Sequence, residues 1–153
     1  MLTKKTRYAL KALIALASAQ GGEPVGIADL AAREAIPKKF LELILLELKN
    51  LGFLQSRKGK GGGYLLSRPP SDVTLGQVVR MLDGPLAPVP CVSQTAYRKC
   101  DECADEAACG IRMVMKDVRD AIASILDSTT LEDVLRRMSD SDEGRRHDLM
   151  YHI

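Results

Sequence analysis

The chain has 153 residues, 46% of them hydrophobic and 4% aromatic, which predicts one globular domain with an aliphatic core. Its net charge of +2 is unevenly distributed. Residues 1–70 carry 12 Lys and Arg and 5 Asp and Glu, whereas residues 71–153 carry 10 Lys and Arg and 15 Asp and Glu. A polyanionic partner is therefore expected for the first half alone. Neither a secretory signal nor an apolar run of about 18 residues is visible, which argues against secreted and membrane-spanning classes and predicts a cytoplasmic protein with no membrane partner.

The first 52 residues have the apolar spacing of three helices. The first helix opens at Thr3 and ends before Gly21, and the second covers about residues 27–33. Pro37 suits the first position of a third helix, which is predicted over residues 37–50. The second and third helices then form a helix-turn-helix.

Residues 53–67 change from helical to strand-like spacing. Two short strand-like runs, residues 53–57 and 64–67, flank the basic turn Lys58-Gly59-Lys60-Gly61-Gly62-Gly63. A nucleotide-binding loop would need a Gly-Lys-Ser/Thr sequence or a βαβ unit, and neither is present. We therefore predict a mainly α fold with a small β-hairpin wing, a winged helix-turn-helix domain over residues 1–84.

The second half predicts further helices around an aperiodic loop. Thr74 and Gln77 form a capping box for a helix that ends at Leu82. Residues 85–108 form a cysteine-bearing loop, and helical spacing returns over residues 109–126. A short last helix, residues 131–138, completes a 109–138 unit, and residues 139–153 are predicted to be a flexible tail.

Basic side chains gather on the third helix and on the hairpin. Lys38, Glu42 and Lys49 share one helical stripe, with Lys39 beside it. Lysine donates to guanine edges or phosphates and glutamate accepts from cytosine, so the stripe suits double-stranded DNA, although a plain surface ion pair of Lys38 and Glu42 remains open. The residues expected to contact a DNA operator are Lys4, Lys5, Arg7, Lys38, Lys39, Glu42, Lys49, Arg57, Lys58, Lys60, Gly61 and Gly62.

Four motifs resemble those of one regulator family. They are Leu2-Thr3-x-x-Thr6-Arg7-Tyr8-Ala9-Leu10, Ile27-Ala28-x-Leu30-Ala31, Phe40-Leu41-Glu42 and Gly59-x-Gly61-Gly62-Gly63-Tyr64-Leu65-Leu66. The chain is similar, up to about residue 135, to the winged-helix transcriptional regulators that include the iron–sulfur cluster regulator IscR, the nitrite-sensitive repressor NsrR and the cysteine-metabolism repressor CymR.

The resemblance implies a homodimer that binds an operator of two half-sites. It also implies that the helix over residues 109–126 is a long dimerisation helix that crosses its partner. By itself, an apolar stripe more often belongs to an ordinary core. The residues that the resemblance places in the dimer contact are Ile111, Val114, Met115, Val118, Ile122 and Ile125.

The four cysteines follow the pattern Cys91-x8-Cys100-x2-Cys103-x5-Cys109. Thiolates are soft ligands that suit iron–sulfur clusters, zinc or copper(I). Cluster-binding members of the family carry three loop cysteines, and the resemblance assigns Cys91, Cys103 and Cys109 to them, with Cys100 as the extra one. The family's fourth ligand is a histidine or an aspartate at positions that Arg112 and Arg7 occupy here.

Cys100 is our hypothesis for the missing fourth ligand. An all-cysteine set is usual for 2Fe–2S and 4Fe–4S clusters, and we favour 2Fe–2S. Three alternatives remain open: a zinc site, a disulfide switch between Cys100 and Cys103, and inert cysteines.

The sequence therefore predicts a DNA-binding repressor that senses iron–sulfur, redox or nitric oxide status. We expect cluster loss, oxidation or nitrosylation to change the placement of the two DNA-reading units. Alternatives are a cluster-free family regulator controlled by thiol oxidation, zinc, a metabolite or a partner protein, and a small iron–sulfur redox protein. Enzymatic activity is not expected, because the histidines, His147 and His152, lie in the tail and no nucleophile has a base beside it.

Overall fold

The computed structural model describes residues 2–151, apart from the side chains of residues 20, 148, 149 and 151. Its mainly helical chain with a two-stranded antiparallel hairpin confirms the predicted fold class. No helix within residues 2–151 combines the length and the hydrophobicity that a membrane span needs. The helices and strands are α1 (Lys4–Ala17), α2 (Ile27–Glu34), α3 (Lys38–Asn50), β1 (Leu54–Arg57), β2 (Gly63–Leu66), α4 (Leu75–Asp83), α5 (Gly110–Ser128) and α6 (Leu131–Tyr151).

Side-chain caps start the helices close to where the sequence predicts them. The Thr3 hydroxyl accepts a hydrogen bond from the backbone N–H of Thr6 at 3.2 Å and opens α1. At α4, Thr74 and Gln77 form both hydrogen bonds of the predicted capping box. Pro37 differs by one position: its ψ of 126° is not helical, so it precedes α3 as the cap residue.

One aliphatic core joins α1, α2, α3, the hairpin and the start of α6. Leu13 and Leu41 are fully buried in it, Phe53 is 2% exposed, and Leu131 of α6 is 0% exposed in the same cluster. The backbone strengthens this junction, because the N–H of Leu131 donates to the carbonyl of Val73 at 2.9 Å. The beginning of α6 is therefore part of the first-half core.

The hairpin is anchored by a close backbone approach. Arg57 lies opposite Gly63 at the end nearest the turn, and Tyr64 exchanges both backbone hydrogen bonds with Val25, at 2.9 and 3.0 Å. A Cβ on Gly63 would lie 2.2 Å from the Val25 carbonyl oxygen. Glycine is thus required where the hairpin packs against the segment that precedes α2.

The C-terminal helix is longer than predicted. The prediction that this helix ends near residue 138 is wrong, because α6 continues to Tyr151. The flexibility of the segment after residue 138 stays a prediction. Exposed polar side chains give this segment no apolar periodicity, yet it contains no proline to end the helix. His152, which the sequence analysis placed in the tail, lies outside the described residues.

Candidate functional site

The outer face of α3 is charged, exposed and firmly backed. Its opposite face is anchored in the core by side chains that are at most 1% exposed, namely Leu41, Ile44, Leu45 and Leu48. Helix α3 therefore presents its outer face from a fixed position, as a helix that enters the major groove must do. The predicted contact residues on this outer face are all exposed: Lys38, Lys39, Glu42 and Lys49.

Sequence analysis missed two aliphatic residues on the same face. Leu43 is 66% exposed and Leu46 is 48% exposed. Both fall outside the stripe that anchors α3, so the helical spacing did contain the signal. Exposed aliphatic side chains on a reading helix can contact thymine methyl groups.

The side chains of two predicted DNA contacts, Lys5 and Lys49, are also hydrogen-bonded to other side chains of the protein. Lys5 of α1 forms an ion pair with Glu47 of α3, with Nζ and Oε1 3.1 Å apart. The Nζ of Lys49 donates to the Ser56 hydroxyl at 2.8 Å and so joins α3 to β1. Exposed ion pairs contribute about 1 kcal/mol at most, so the Lys5 side chain stays available to a phosphate at little cost.

The hairpin tip exposes most of its predicted contact residues. Gly62 is half-buried, its N–H donates to the carbonyl of Gly59 at 3.0 Å, and a Cβ there would lie 2.3 Å from the Arg57 carbonyl oxygen. A side chain at position 62 would clash with the backbone, so the turn requires glycine there. The exposed residues at the tip and at the start of α1 are Arg57, Lys58, Lys60, Gly61, Lys4 and Arg7.

The cysteine loop brings the thiols of Cys91 and Cys100 together. Cys91 is buried on the single turn Pro90–Val92, whereas Cys100 is exposed. A hydrogen bond with Cys91, together with the charges of Cys91 and Cys109, raises the pKa of the Cys100 thiol above its ordinary value. The half-buried Cys103 is joined to this group through its backbone, since its N–H donates to the Cys100 carbonyl at 3.2 Å.

This grouping differs from the ligand set that the resemblance implies. A hydrogen bond connects Cys91 with Cys100, the residue that the resemblance leaves over, and Cys109 acts on Cys100 through its charge alone, whereas Cys103 is connected by backbone. Among the described residues, no three His, Cys, Asp or Glu side chains are already arranged to bind a metal ion. The ligand set therefore stays a prediction.

The start of α5 adds charged groups to the cysteine loop. Cys109 caps the helix, because its Sγ accepts from the backbone N–H of Arg112 at 3.4 Å. The Tyr97 hydroxyl donates to the Glu106 carboxylate, and this hydrogen bond raises the pKa of Tyr97 while the charge of Arg112 opposes the shift. In the described part of the chain, the Nε of Arg112 is buried without a hydrogen-bond partner.

The donor chemistry of this region fits a thiolate-ligated centre. The four thiols are soft donors within one loop and the first turn beyond it, and all of them are free. The buried Nε–H of Arg112 is a donor that an anionic sulfur could satisfy. The same thiols would also suit zinc.

Helix α5 presents an apolar face that the other described residues leave exposed. No residue of α5 is buried, and Met115 is the half-buried member of the predicted contact set. Met113, which the prediction did not include, is 54% exposed but lies outside this face, about 160° round the helix from Ile111. A contiguous exposed apolar face of this kind marks an interaction surface. The exposed fractions of the other predicted residues are 70% for Ile111, 56% for Val114, 37% for Val118, 36% for Ile122 and 60% for Ile125.

Asp83, at the end of α4, is bonded to the start of α1. Its carboxylate accepts from the hydroxyls of Thr3 and Thr6 at 2.7 and 2.6 Å and from the Thr3 N–H at 3.0 Å. Although burial raises the pKa of Asp83, these hydrogen bonds hold it below the ordinary value. The basic start of α1 is thus fixed relative to α4, the helix that leads into the cysteine loop.

Asp83→Asn should destabilise the protein at neutral pH by about 1–3 kcal/mol, because the buried Thr6 hydroxyl loses a charged acceptor. A carboxyl group whose pKa is lowered by folding contributes stability above its unfolded pKa of about 3.9, and this contribution is lost as pH falls through the folded pKa. In urea unfolding, the difference in the free energy of unfolding between wild type and variant should therefore become smaller in acid. A difference in the free energy of unfolding that stays constant with pH would contradict this role. Asp140→Asn, at an exposed position, serves as the control.

The chain matches a family model described as Rrf2, iron-dependent transcriptional regulator, over residues 2–137. It is 48% identical to an Rrf2-like transcriptional regulator of Rhodobacter capsulatus over 138 residues, which cover 88% of this chain and 92% of the relative. It is 32% identical to the transcriptional regulator CymR of Bacillus subtilis over 99% of both chains.

Solved structures agree with these sequence matches. The structure of CymR, described as the global cysteine regulator of B. subtilis, aligns with a TM-score of 0.74 at 33% identity and covers 88% of this chain and 95% of that one. The structure of IscR from T. potens aligns with a TM-score of 0.72 at 26% identity and covers 92% and 90%. The predicted resemblance is thereby confirmed.

Proposed function

Because the chain belongs to the Rrf2 family of transcriptional regulators, we propose that it is a homodimeric, cytoplasmic DNA-binding repressor that senses iron, redox or nitric oxide status through an iron–sulfur cluster. The observation that carries this proposal is the exposed charged face of α3 beside a basic hairpin, both fixed on one aliphatic core.

The proposed DNA interface combines two neighbouring elements. Helix α3 enters the major groove, where Glu42 and the lysines meet base edges and Leu43 meets thymine methyl groups. The hairpin lysines neutralise flanking phosphates. The bond between Lys49 and Ser56 supports this arrangement, because it holds the helix and the hairpin side by side.

The proposed dimer pairs α5 with the same helix of a second copy. The residues at 111, 115, 118, 122 and 125 alternate in spacings of four and three, which is the pattern of helices that pack along a shared seam. The exposure of four of these five side chains supports the proposal, since a second copy would remove them from water.

In the proposed sensor, Cys91, Cys100, Cys103 and Cys109 hold a 2Fe–2S cluster, with zinc as the alternative metal. A bound cluster would supply a centre that exchanges electrons and reacts with oxidants. Cys91 contributes a buried thiol on a short turn, and Cys109 contributes a thiol at the first turn of α5. The site would therefore connect the loop directly to the proposed dimer helix.

One experiment tests both parts of the proposal on the full chain. Protein purified without oxygen is analysed for iron, sulfide and visible absorption, and is then offered fragments of genomic DNA with and without its metal. We expect iron and sulfide in equal amounts and DNA binding that differs between the two forms. Failure to bind duplex DNA at low ionic strength in either form would overturn the regulatory function, whereas absence of iron and sulfide would overturn the sensor alone.

A second candidate function is a cluster-free regulator whose thiols respond to oxidation themselves. The contact between the thiols of Cys91 and Cys100 favours this candidate, and so does the similarity to CymR over 99% of both chains. DNA binding that changes with peroxide treatment, in protein that contains no iron or sulfide, would select it.

Cys100→Ala should lower the iron content and shorten the lifetime of the cluster in air. The exposed Cys100 contributes little to the core, so the variant should fold normally while its visible absorption decreases or changes shape. Thr95→Ala, at an exposed position of the same loop, is the matched control. An unchanged spectrum and lifetime would remove Cys100 from the ligand set.

A further inference from the structure

Arg112 combines a buried donor with a position beside the thiols. Its Nε has essentially no accessible surface and no acceptor within residues 2–151. Leaving a buried donor unsatisfied costs about 1–3 kcal/mol, and more for a charged group, because the hydrogen bonds to water are lost. Such a donor inside a candidate site points to an anionic acceptor.

The surroundings of Arg112 are those of the cysteine loop. Its backbone N–H donates to the Sγ of Cys109. Its side chain acts electrostatically on the Tyr97 hydroxyl, which Cys91 also influences and which donates to Glu106. Arg112 therefore belongs to the same group of side chains as the thiols.

Other cations near the loop are engaged or exposed. Arg119 donates to the Val92 carbonyl at 2.6 Å and to the Asp120 carboxylate at 2.8 Å. Arg98 and Lys99 are exposed, so water and salt screen their charges. The partly desolvated charge of Arg112 acts more strongly on nearby anions than theirs does.

We propose that Arg112 is the charge partner of the cysteine-bound centre: its Nε–H donates to an anionic sulfur, and its positive charge offsets that of the thiolates. This inference rests on the proposed function, since it requires a centre with anionic sulfur ligands. Arg112 stands where the resemblance places a histidine ligand, so the chain keeps a functional residue at this position but uses it as a positioning residue instead of a ligand. Hydrogen bonds to the sulfurs and nearby positive charge favour the more negative, reduced state.

Two variants of the full chain separate the charge from the hydrogen bond. Arg112→Met removes both and should lower the equilibrium constant for one-electron reduction about tenfold, which corresponds to about 59 mV. Arg112→Lys keeps the charge and should lower it less. Redox titration of the visible absorption measures both effects, and Arg33→Met, at an exposed position on α2 outside the loop, should leave the constant unchanged.

The stability of the metal-free protein supplies an independent readout. Removing a buried donor that lacks an acceptor should leave Arg112→Met at least as stable to urea as the wild type. Three outcomes would each overturn the inference and leave the proposed function intact. The equilibrium constant for reduction could be the same in Arg112→Met as in the wild type, or it could decrease equally in the Met and Lys variants. The third outcome is that both variants unfold without metal. Absence of iron and sulfide from the wild type would overturn the inference together with the sensor.

Discussion

Val118→Glu should convert the protein to a monomer and weaken operator binding roughly a hundredfold or more. Val118 lies at the middle of the apolar face of α5, so the variant places an unpaired carboxylate in the proposed dimer contact, where burying it is costly. A dimer gains its second half-site as an intramolecular event, which raises affinity by about two to four orders of magnitude, and a monomer loses this gain. Analytical ultracentrifugation and a gel-shift titration measure the two effects.

Ser124→Glu is the matched control for this prediction. It adds the same charge to α5 at an exposed position outside the apolar face, about 120° round the helix from Val118, so it should leave the dimer and its DNA affinity unchanged. A Val118→Glu protein that sediments as a dimer would show that another surface joins the two copies. Dimer loss without loss of affinity would show instead that one protomer is sufficient to bind the operator.

Local chemistry made most of the fold predictable. Thr3 and Thr74 were identifiable as caps because each hydroxyl stands three residues before the N–H that it accepts from, and both caps are formed. The hairpin followed from the glycine-rich turn between two short apolar runs. The full length of α6 was not predictable in this way, since a polar, exposed helix leaves no apolar period in the sequence.

The cysteine region shows where sequence spacing stops being informative. The resemblance assigned Cys103 and Cys109 together because their interval of five residues matches that of the family, but the Cys100 thiol is hydrogen-bonded to Cys91. Such contacts depend on where a loop without periodicity turns, and spacing alone does not determine that. Arg112 was noted only as a missing ligand, because burial of its Nε becomes visible only in three dimensions.

Replacing both Lys58 and Lys60 with alanine should weaken binding to all DNA sequences alike. Each phosphate contact contributes about 0.9 to the slope of log K against log salt, so the loss of four lysines from a dimer should reduce that slope by roughly 4. Glu42→Ala should behave differently, because loss of a base contact changes preference at one position by about 1–3 kcal/mol and leaves the slope nearly unchanged. Gel-shift titrations at several salt concentrations, on the operator and on single-base variants of it, separate the two behaviours.

The salt slope and the base preference together distinguish base-specific contacts from electrostatic attraction to phosphates. Lys116→Ala removes a positive charge from an exposed position on α5, away from the proposed DNA interface. It should change neither the salt slope nor the base preference. An unchanged slope in the double lysine variant would show that the hairpin does not touch phosphates. A uniform loss on every sequence for Glu42→Ala would remove Glu42 from base reading and leave Leu43 and the lysines of α3 as the remaining candidates, because they share its exposed face.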